Sequence, residues 1–190
     1  MDDFAPGDLW LGVPVAGHAP SETLVARAAR HHIPIDYRRE GQTTMLGAAS
    51  VRVLNPPRPD WERRRVRNDD SVVLEVTCGD VALLLTGDIG ADVERAIVPQ
   101  LTPARMRVLK VAHHGSRTSS SSELLAAWRP QIAIISAGRG NRFGHPAPDV
   151  VDRLAAIGAR IYRTDRDGEV TIDSDGRSVI VKTFVGERDE

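Results

Sequence analysis

Cysteine is nearly absent from this chain of 190 residues: Cys78 stands alone, which excludes an internal disulfide. It lies in a run of strand-forming residues, so a buried thiol is the expectation. Also missing is any apolar run near the roughly 20 residues needed to span a bilayer. The acidic start Met1-Asp-Asp-Phe-Ala-Pro6 lacks the basic residues and apolar core of a signal peptide, and the chain as given is expected to be soluble. No excess of charge of either sign is present. A formal net charge of -1 gives no overall pull towards nucleic acid or an anionic membrane. The local exception is the arginine-rich run Arg58-Pro-Asp-Trp-Glu-Arg-Arg-Arg-Val-Arg67. Repeats, low-complexity tracts and domain linkers are lacking too.

What remains is ordinary globular composition, 41% hydrophobic and 27% charged, at a length suited to one domain spanning 1–190. Strand and helix patterns alternate. Asp8 to Val13 reads as a strand, Ser21 to His31 as a helix capped by Ser21, and Ile33 to Tyr37 as extended chain. Thr43 to Leu54 holds two short strands about Gly47, followed by a Pro/Arg-rich loop over residues 55 to 68. A loop of that length inside a compact domain is often functional. Strands at Ser71 to Thr77 and Val81 to Leu85 flank a Gly79-Asp80 turn. A helix over Ala91 to Gln100 precedes a strand at Arg107 to Ala112. Ser119 opens a helix to Trp128, and Gln131 to Ser136 is a buried strand. Pro148 to Ile157 forms a helix, Arg160 to Arg163 a short strand, and Gly168 to Phe184 a hairpin about Ser174-Asp-Gly176. Interleaved strands and helices predict a layered α/β sandwich.

Two segments concentrate the chemistry. Val81-Ala-Leu-Leu-Leu-Thr-Gly-Asp88 is an aliphatic run ending in a carboxylate, and Met106-Arg-Val-Leu-Lys-Val-Ala-His-His-Gly-Ser116 is one ending in paired imidazoles. A carboxylate and an imidazole at neighbouring strand ends can share one divalent ion, zinc or manganese, with Gly87 and Gly115 letting the backbone turn. Asp88 also suits a plain strand-to-helix turn. Only one of His113 and His114 need ligate, since adjacent side chains diverge. Asn68-Asp-Asp-Ser71 reads first as turn chemistry, and Asn141-Arg-Phe-Gly-His-Pro146 as a loop at the strand edge where α/β proteins build sites. Arg163-Thr-Asp-Arg-Asp-Gly168 is expected to be a structural turn. His18, His31 and His32 are expected at the surface or at helix ends.

In order along the chain, Asn68-Asp-Asp-Ser71, Leu84-Leu-Thr-Gly-Asp88, Leu109-Lys-Val-Ala-His-His-Gly-Ser116, Ile135-Ser-Ala-Gly138, Gly144-His-Pro146 and Tyr162-Arg-Thr-Asp165 resemble the C-terminal metallo-β-lactamase-like domain of the ComEC family of DNA-uptake (competence) proteins. The resemblance covers roughly residues 8–175. It implies an αββα sandwich with a binuclear metal site, hydrolysis of phosphodiesters, and DNA and the family's membrane channel portion as partners. On the matching positions Asp88 would bridge two metals and His113 or His114 would ligate one, with Asp69 near a further ligand's place. His145 and Ser116 would lie near the substrate phosphate, and Asn68, Arg163 and Asp165 would line the substrate side. The family context implies attachment to the bacterial cell membrane, on its outer side.

The chain departs from the family at one motif. It has no His-x-His-x-Asp-His sequence, which supplies most metal ligands in such folds, and the resemblance leads one to expect that it begins just after the place where that motif would stand. The sandwich is therefore expected to be incomplete on its N-terminal side. With one carboxylate and one or two imidazoles, metal affinity is expected to fall well below the ~10–16 kcal/mol of a full structural zinc site. Two other readings compete: a catalytically silent fragment that binds nucleic acid or a partner through Arg63-Arg-Arg65, Arg139, Arg142 and Arg163, and a hydrolase of another phosphodiester, such as a choline-phosphate ester.

Overall fold

The computed structural model describes residues 6–58, 65 and 67–185. Its centre is a seven-stranded mixed sheet in the order β3-β4-β5-β6-β7-β8-β9. These strands are β3 (Thr43–Leu46), β4 (Ala49–Asn55), β5 (Val73–Cys78), β6 (Val81–Leu85), β7 (Met106–Lys110), β8 (Ile132–Ile135) and β9 (Arg160–Arg163). Tight turns join β3 to β4 and β5 to β6, so pairing from β3 to β6 is antiparallel; from β6 to β9 it is parallel. Parallel neighbours need crossovers. Here these are the helices α2 (Ala91–Ile97), α3 (Ser122–Trp128) and α4 (Pro148–Ala156).

One buried cluster joins these helices to the sheet. Ile97 of α2, Leu124, Leu125 and Trp128 of α3, and Val150 and Leu154 of α4 pack with Leu54, Val73, Leu84, Leu109, Ala133 and Ile135 of the strands. The opposite face is aliphatic as well: Leu74 pairs with Leu85, and Val76, Leu83, Val108 and Ile132 follow one another across four strands. A sheet apolar on both faces suits a layered α/β fold, as the sequence predicts. The other strands among the described residues form two small units, a parallel pair β1 (Leu9–Leu11) and β2 (Ile35–Tyr37) and the hairpin β10 (Val170–Ser174) and β11 (Val179–Thr183). The hairpin tip docks on the β5–β6 turn, where Asp80 donates its backbone N–H to Gly176.

Two expected caps are corrected. The first helix, α1, spans Ala19–Arg30 with His18 at its cap and a proline in its first turn, so Ser21 lies inside it and its hydroxyl bonds His18 Nδ1 at 2.7 Å. Pro20 set the start, because proline suits a first helical turn and its fixed φ is preorganised for it. Likewise α3 is capped by Ser121, whose side chain accepts from Leu124 N, rather than opening at Ser119. The segment after β9 is a single helical turn, α5 (Thr164–Asp167). Most of the Arg63-Arg-Arg65 run falls outside the described residues.

Candidate functional site

The C-terminal ends of the parallel strands lie along one edge of the sheet, and the polar segments follow them directly. After β6, the buried Thr86 hydroxyl donates to Lys110 O at 2.6 Å and ties this turn to β7. Gly87 has φ +56, and a Cβ there would come within 2.6 Å of Ser71 Cβ, so both conformation and space require glycine. Asp88 N donates to Ser71 Oγ at 3.1 Å, which sets where the carboxylate emerges. After β7, His113 and His114 are both left-handed, with φ +47 and +56. Side chains with a Cβ enter that region at a cost on the order of 1–3 kcal/mol each, and such strain persists only where the surroundings over-determine it. They do so here. His113 N donates to Gly87 O at 3.0 Å, Ser116 N to His113 O at 2.9 Å, and Ala147 N to Gly115 O at 2.9 Å.

The second layer of support comes from α2, α4 and the serine-rich loop. Ser119 donates its hydroxyl to Ala112 O and Ser116 O, both at 2.9 Å. Glu94 of α2, fully buried, accepts from Ser120 N and Ser121 N at 2.7 and 2.6 Å. Arg153 of α4 donates to Ser119 O and Ser120 O. Glu94 was not singled out from the sequence, where it reads as one more polar helical residue.

The strained pair sends its two imidazoles to different partners. His114 Nδ1 lies 2.8 Å from Ser136 O, and a carbonyl only accepts, so Nδ1 carries the proton. In neutral His114 the lone pair is then on Nε2, 3.6 Å from Asp88 Oδ1. Two electron-rich atoms facing each other call for a proton or a cation between them. His113 Nε2 instead meets Asn68 Nδ2 at 3.2 Å. Asn68 arrives there because Asn55 Nδ2 donates to Asp69 O and Ser71 O and pins the Asn68–Asp70 turn. Asp69 uses Oδ1 to accept from Gly90 N at 2.8 Å. Asn68, Asp69, Asp88, Gly90, Asp92, His113 and Thr118 line one open cleft of about 450 Å³.

His145 enters from the loop after β8. Its ring lies edge-on to His113, 5.9 Å between centres. Asn141 fixes that loop by accepting from His145 N at 3.0 Å and donating to His145 O at 2.6 Å. His145 Nδ1 is buried without a partner, and burial, followed by the charges of His113 and His114, holds its pKa below the usual 6.5. Lys110 is likewise lowered by burial against the opposing pull of Asp88, and its ammonium donates to Val111 O at 2.9 Å.

The remaining sequence candidates are not among the residues that line this cleft. Ser116 is buried, with its hydroxyl 3.1 Å from Thr118 Oγ1. Arg163 and Asp165 form a two-pronged ion pair, at 3.0 and 2.7 Å, that shapes the turn after β9. Those bonds from Arg163 hold the Asp165 carboxyl below its ordinary pKa. His18 and His31 cap the two ends of α1, as expected for histidines outside the site.

No protein-family model matches the chain. Curated relatives do. It is 33% identical over 152 residues to ComE operon protein 3 of Bacillus subtilis strain 168, covering 80% of this chain and 19% of that protein. The identity is 38% over 112 residues to competence protein ComA of Neisseria gonorrhoeae, covering 58% and 16%. It is again 38% over 109 residues to Recombination protein 2 of Haemophilus influenzae, covering 57% and 14%. It is a ComEC-like domain. The ComEC-like chain thus spans about a fifth of the length of these relatives, or less. Among solved structures it resembles a Parabacteroides distasonis protein that bears the name of a metal-dependent hydrolase, at a TM-score of 0.46 and 13% identity over 82% of this chain and 74% of that one.

Proposed function

We propose that this ComEC-like domain is the phosphodiesterase, nuclease-like part of a DNA-internalisation protein, and that the present chain holds half of its metal site. The observation that carries the reading is the facing pair His114 Nε2 and Asp88 Oδ1, 3.6 Å apart, on turns whose left-handed backbone is braced from several sides. Two donors about 2.1 Å from one tetrahedral ion stand roughly 3.4 Å apart, so the pair fits one edge of a coordination shell. It fits no more than that edge. Among the described residues no group of three or more His, Cys, Asp or Glu side chains is placed to hold a metal.

A bound divalent ion supplies a water ionisable near pH 7 and charge to neutralise the phosphate. The chain's own residues do the rest. Asp88 and His114 would hold the ion, Ser136 O fixes the His114 tautomer, and Asn68 orients His113. His145, its pKa lowered by burial, stands beside His113 and would exchange a proton with a substrate oxygen. No helix among the described residues is long and apolar enough to cross a membrane, and in the reading proposed here the membrane channel belongs to the rest of the longer protein.

Calorimetric titration with zinc and with manganese, beside a plasmid-nicking assay, tests this reading. The expected result is weak binding that Asp88→Asn and His114→Ala each abolish, with little or no nicking. Tight binding of two ions with chelator-sensitive cleavage contradicts the half-site. Complete indifference to both metals sinks the metal reading itself.

A further inference from the structure

The loop after β8 carries a group that metal chemistry does not use. Phe143, one of three phenylalanines in the chain, is 66% exposed at the tip of that loop. Its ring stacks on His145, 6.0 Å between centres at an interplanar angle of 20°. The guanidinium of Arg142 lies over the ring, 5.0 Å from its centre. His145 in turn meets His113, which lines the cleft. A row of planar groups therefore runs from solvent to the candidate site: Arg142, Phe143, His145, His113.

A single exposed phenylalanine is ordinary on a protein surface. This one differs in how it is held. Asn141 donates to Gly138 O and His145 O and accepts from His145 N, closing the loop on itself so that Phe143 is presented on a fixed base. Two thirds of the ring's surface is open, and the Arg142 guanidinium now over the ring would move to a phosphate and leave its face to a base. Exposed aromatic faces next to arginine are how proteins grip unpaired bases without reading sequence, because every base has a π-face. A base inside a duplex is already stacked on both sides and cannot offer that face.

We propose that Phe143 is a stacking platform for an unpaired nucleobase, with Arg142 on the adjoining phosphate, so that the site takes single-stranded rather than duplex nucleic acid. The inference rests on the phosphodiesterase reading and names the form of its substrate. Phe143 acts on specificity: it places the strand so that a phosphate lies towards His145 and His113.

Fluorescence anisotropy of the full chain in EDTA tests it, with three probes: a labelled single strand, the same strand made abasic, and the matching duplex. The single strand is expected to bind tightest. Phe143→Ala is expected to weaken it roughly 5- to 150-fold and to leave the abasic strand and duplex unchanged. Phe143→Trp is expected to restore binding, and Phe184→Ala, at an exposed phenylalanine just after β11, to change nothing. Arg142→Met is expected to lower the salt slope by about one. Circular dichroism checks that each variant is folded. Equal affinity for the abasic strand, or wild-type affinity in Phe143→Ala, overturns the platform while leaving the metal titration free to support the phosphodiesterase reading. Failure of all three probes to bind removes the platform and the nucleic-acid substrate together.

Discussion

The parallel half of the sheet, β6 to β9, and its antiparallel half, β3 to β6, share strand β6 and one core but differ in how their strands are connected. Each parallel strand leaves the sheet through a loop and returns by a helix, so polar residues collect at one edge and helices cover one face. Two of the antiparallel connections are tight turns with no room for a site; the third, from β4 to β5, is a long segment that brings Asn68 and Asp69 to the same edge. Burial separates the inner strands of both halves from the β3 edge, with Leu54 of β4 and Val73 of β5 as buried as the parallel strands. Leu84, Leu109, Ala133 and Ile135 are almost fully buried, whereas Met45 and Leu46 on edge strand β3 are 61% and 55% exposed. Chemistry gathers at the edge that the crossovers share with the β4–β5 connection, and the two hairpins extend the frame.

The comparison predicts where damage should be greatest. Trp128 fills the core beneath the parallel half and donates its indole N–H to Val108 O. Trp128→Ala is expected to cost about 4 kcal/mol in a chemical-denaturation midpoint analysis. Gly115→Ala should be next, at roughly 2 kcal/mol. It forces an alanine to φ +78 and sets a Cβ 2.6 Å from Pro146 Cβ, so loss of metal or oligonucleotide binding is expected beyond the change in melting temperature.

A smaller effect is expected at Arg163. Because Asp165 titrates below its ordinary 3.8 in the fold, its contribution is present above that value and is lost as pH falls through the lowered pKa. Arg163→Met should therefore destabilise at pH 6, and the gap from wild type should narrow as acid unfolding is followed below pH 4. If the gap stays constant with pH, the ion pair is not its source. At the other extreme, Met45→Thr on the β3 edge is expected to stay within about 0.5 kcal/mol of wild type; a large loss there would undo the contrast between the inner strands and the edge.

Much of this was legible in the residues. The β6 run Val81 to Leu85 and the β9 run Arg160 to Arg163 match their strands end to end, because aliphatic runs bounded by turn residues leave few alternatives. The caps were harder to read. Four consecutive serines, Ser119 to Ser122, offer equivalent hydroxyls to any capping rule. What selects Ser121 is Glu94 taking the amides of Ser120 and Ser121 from a helix distant in sequence. Asp88 and the histidine pair stood out as metal-binding types, but their division of labour did not. That His114 faces Asp88 while His113 turns to Asn68 follows from two successive left-handed residues, and although histidine enters that region more readily than most side chains, two in a row is not a pattern local sequence announces. Phe143 passed as a loop residue, since exposure and stacking emerge only once the loop is folded.

The backbone bond from His113 N to Gly87 O has a practical consequence for dissecting the site. It staples the turns after β6 and β7 through peptide groups alone, without the side chains of Asp88, His113 or His114. Those three can be exchanged one at a time while the scaffold keeps its shape, so a silent variant reports a missing functional group and not a collapsed loop.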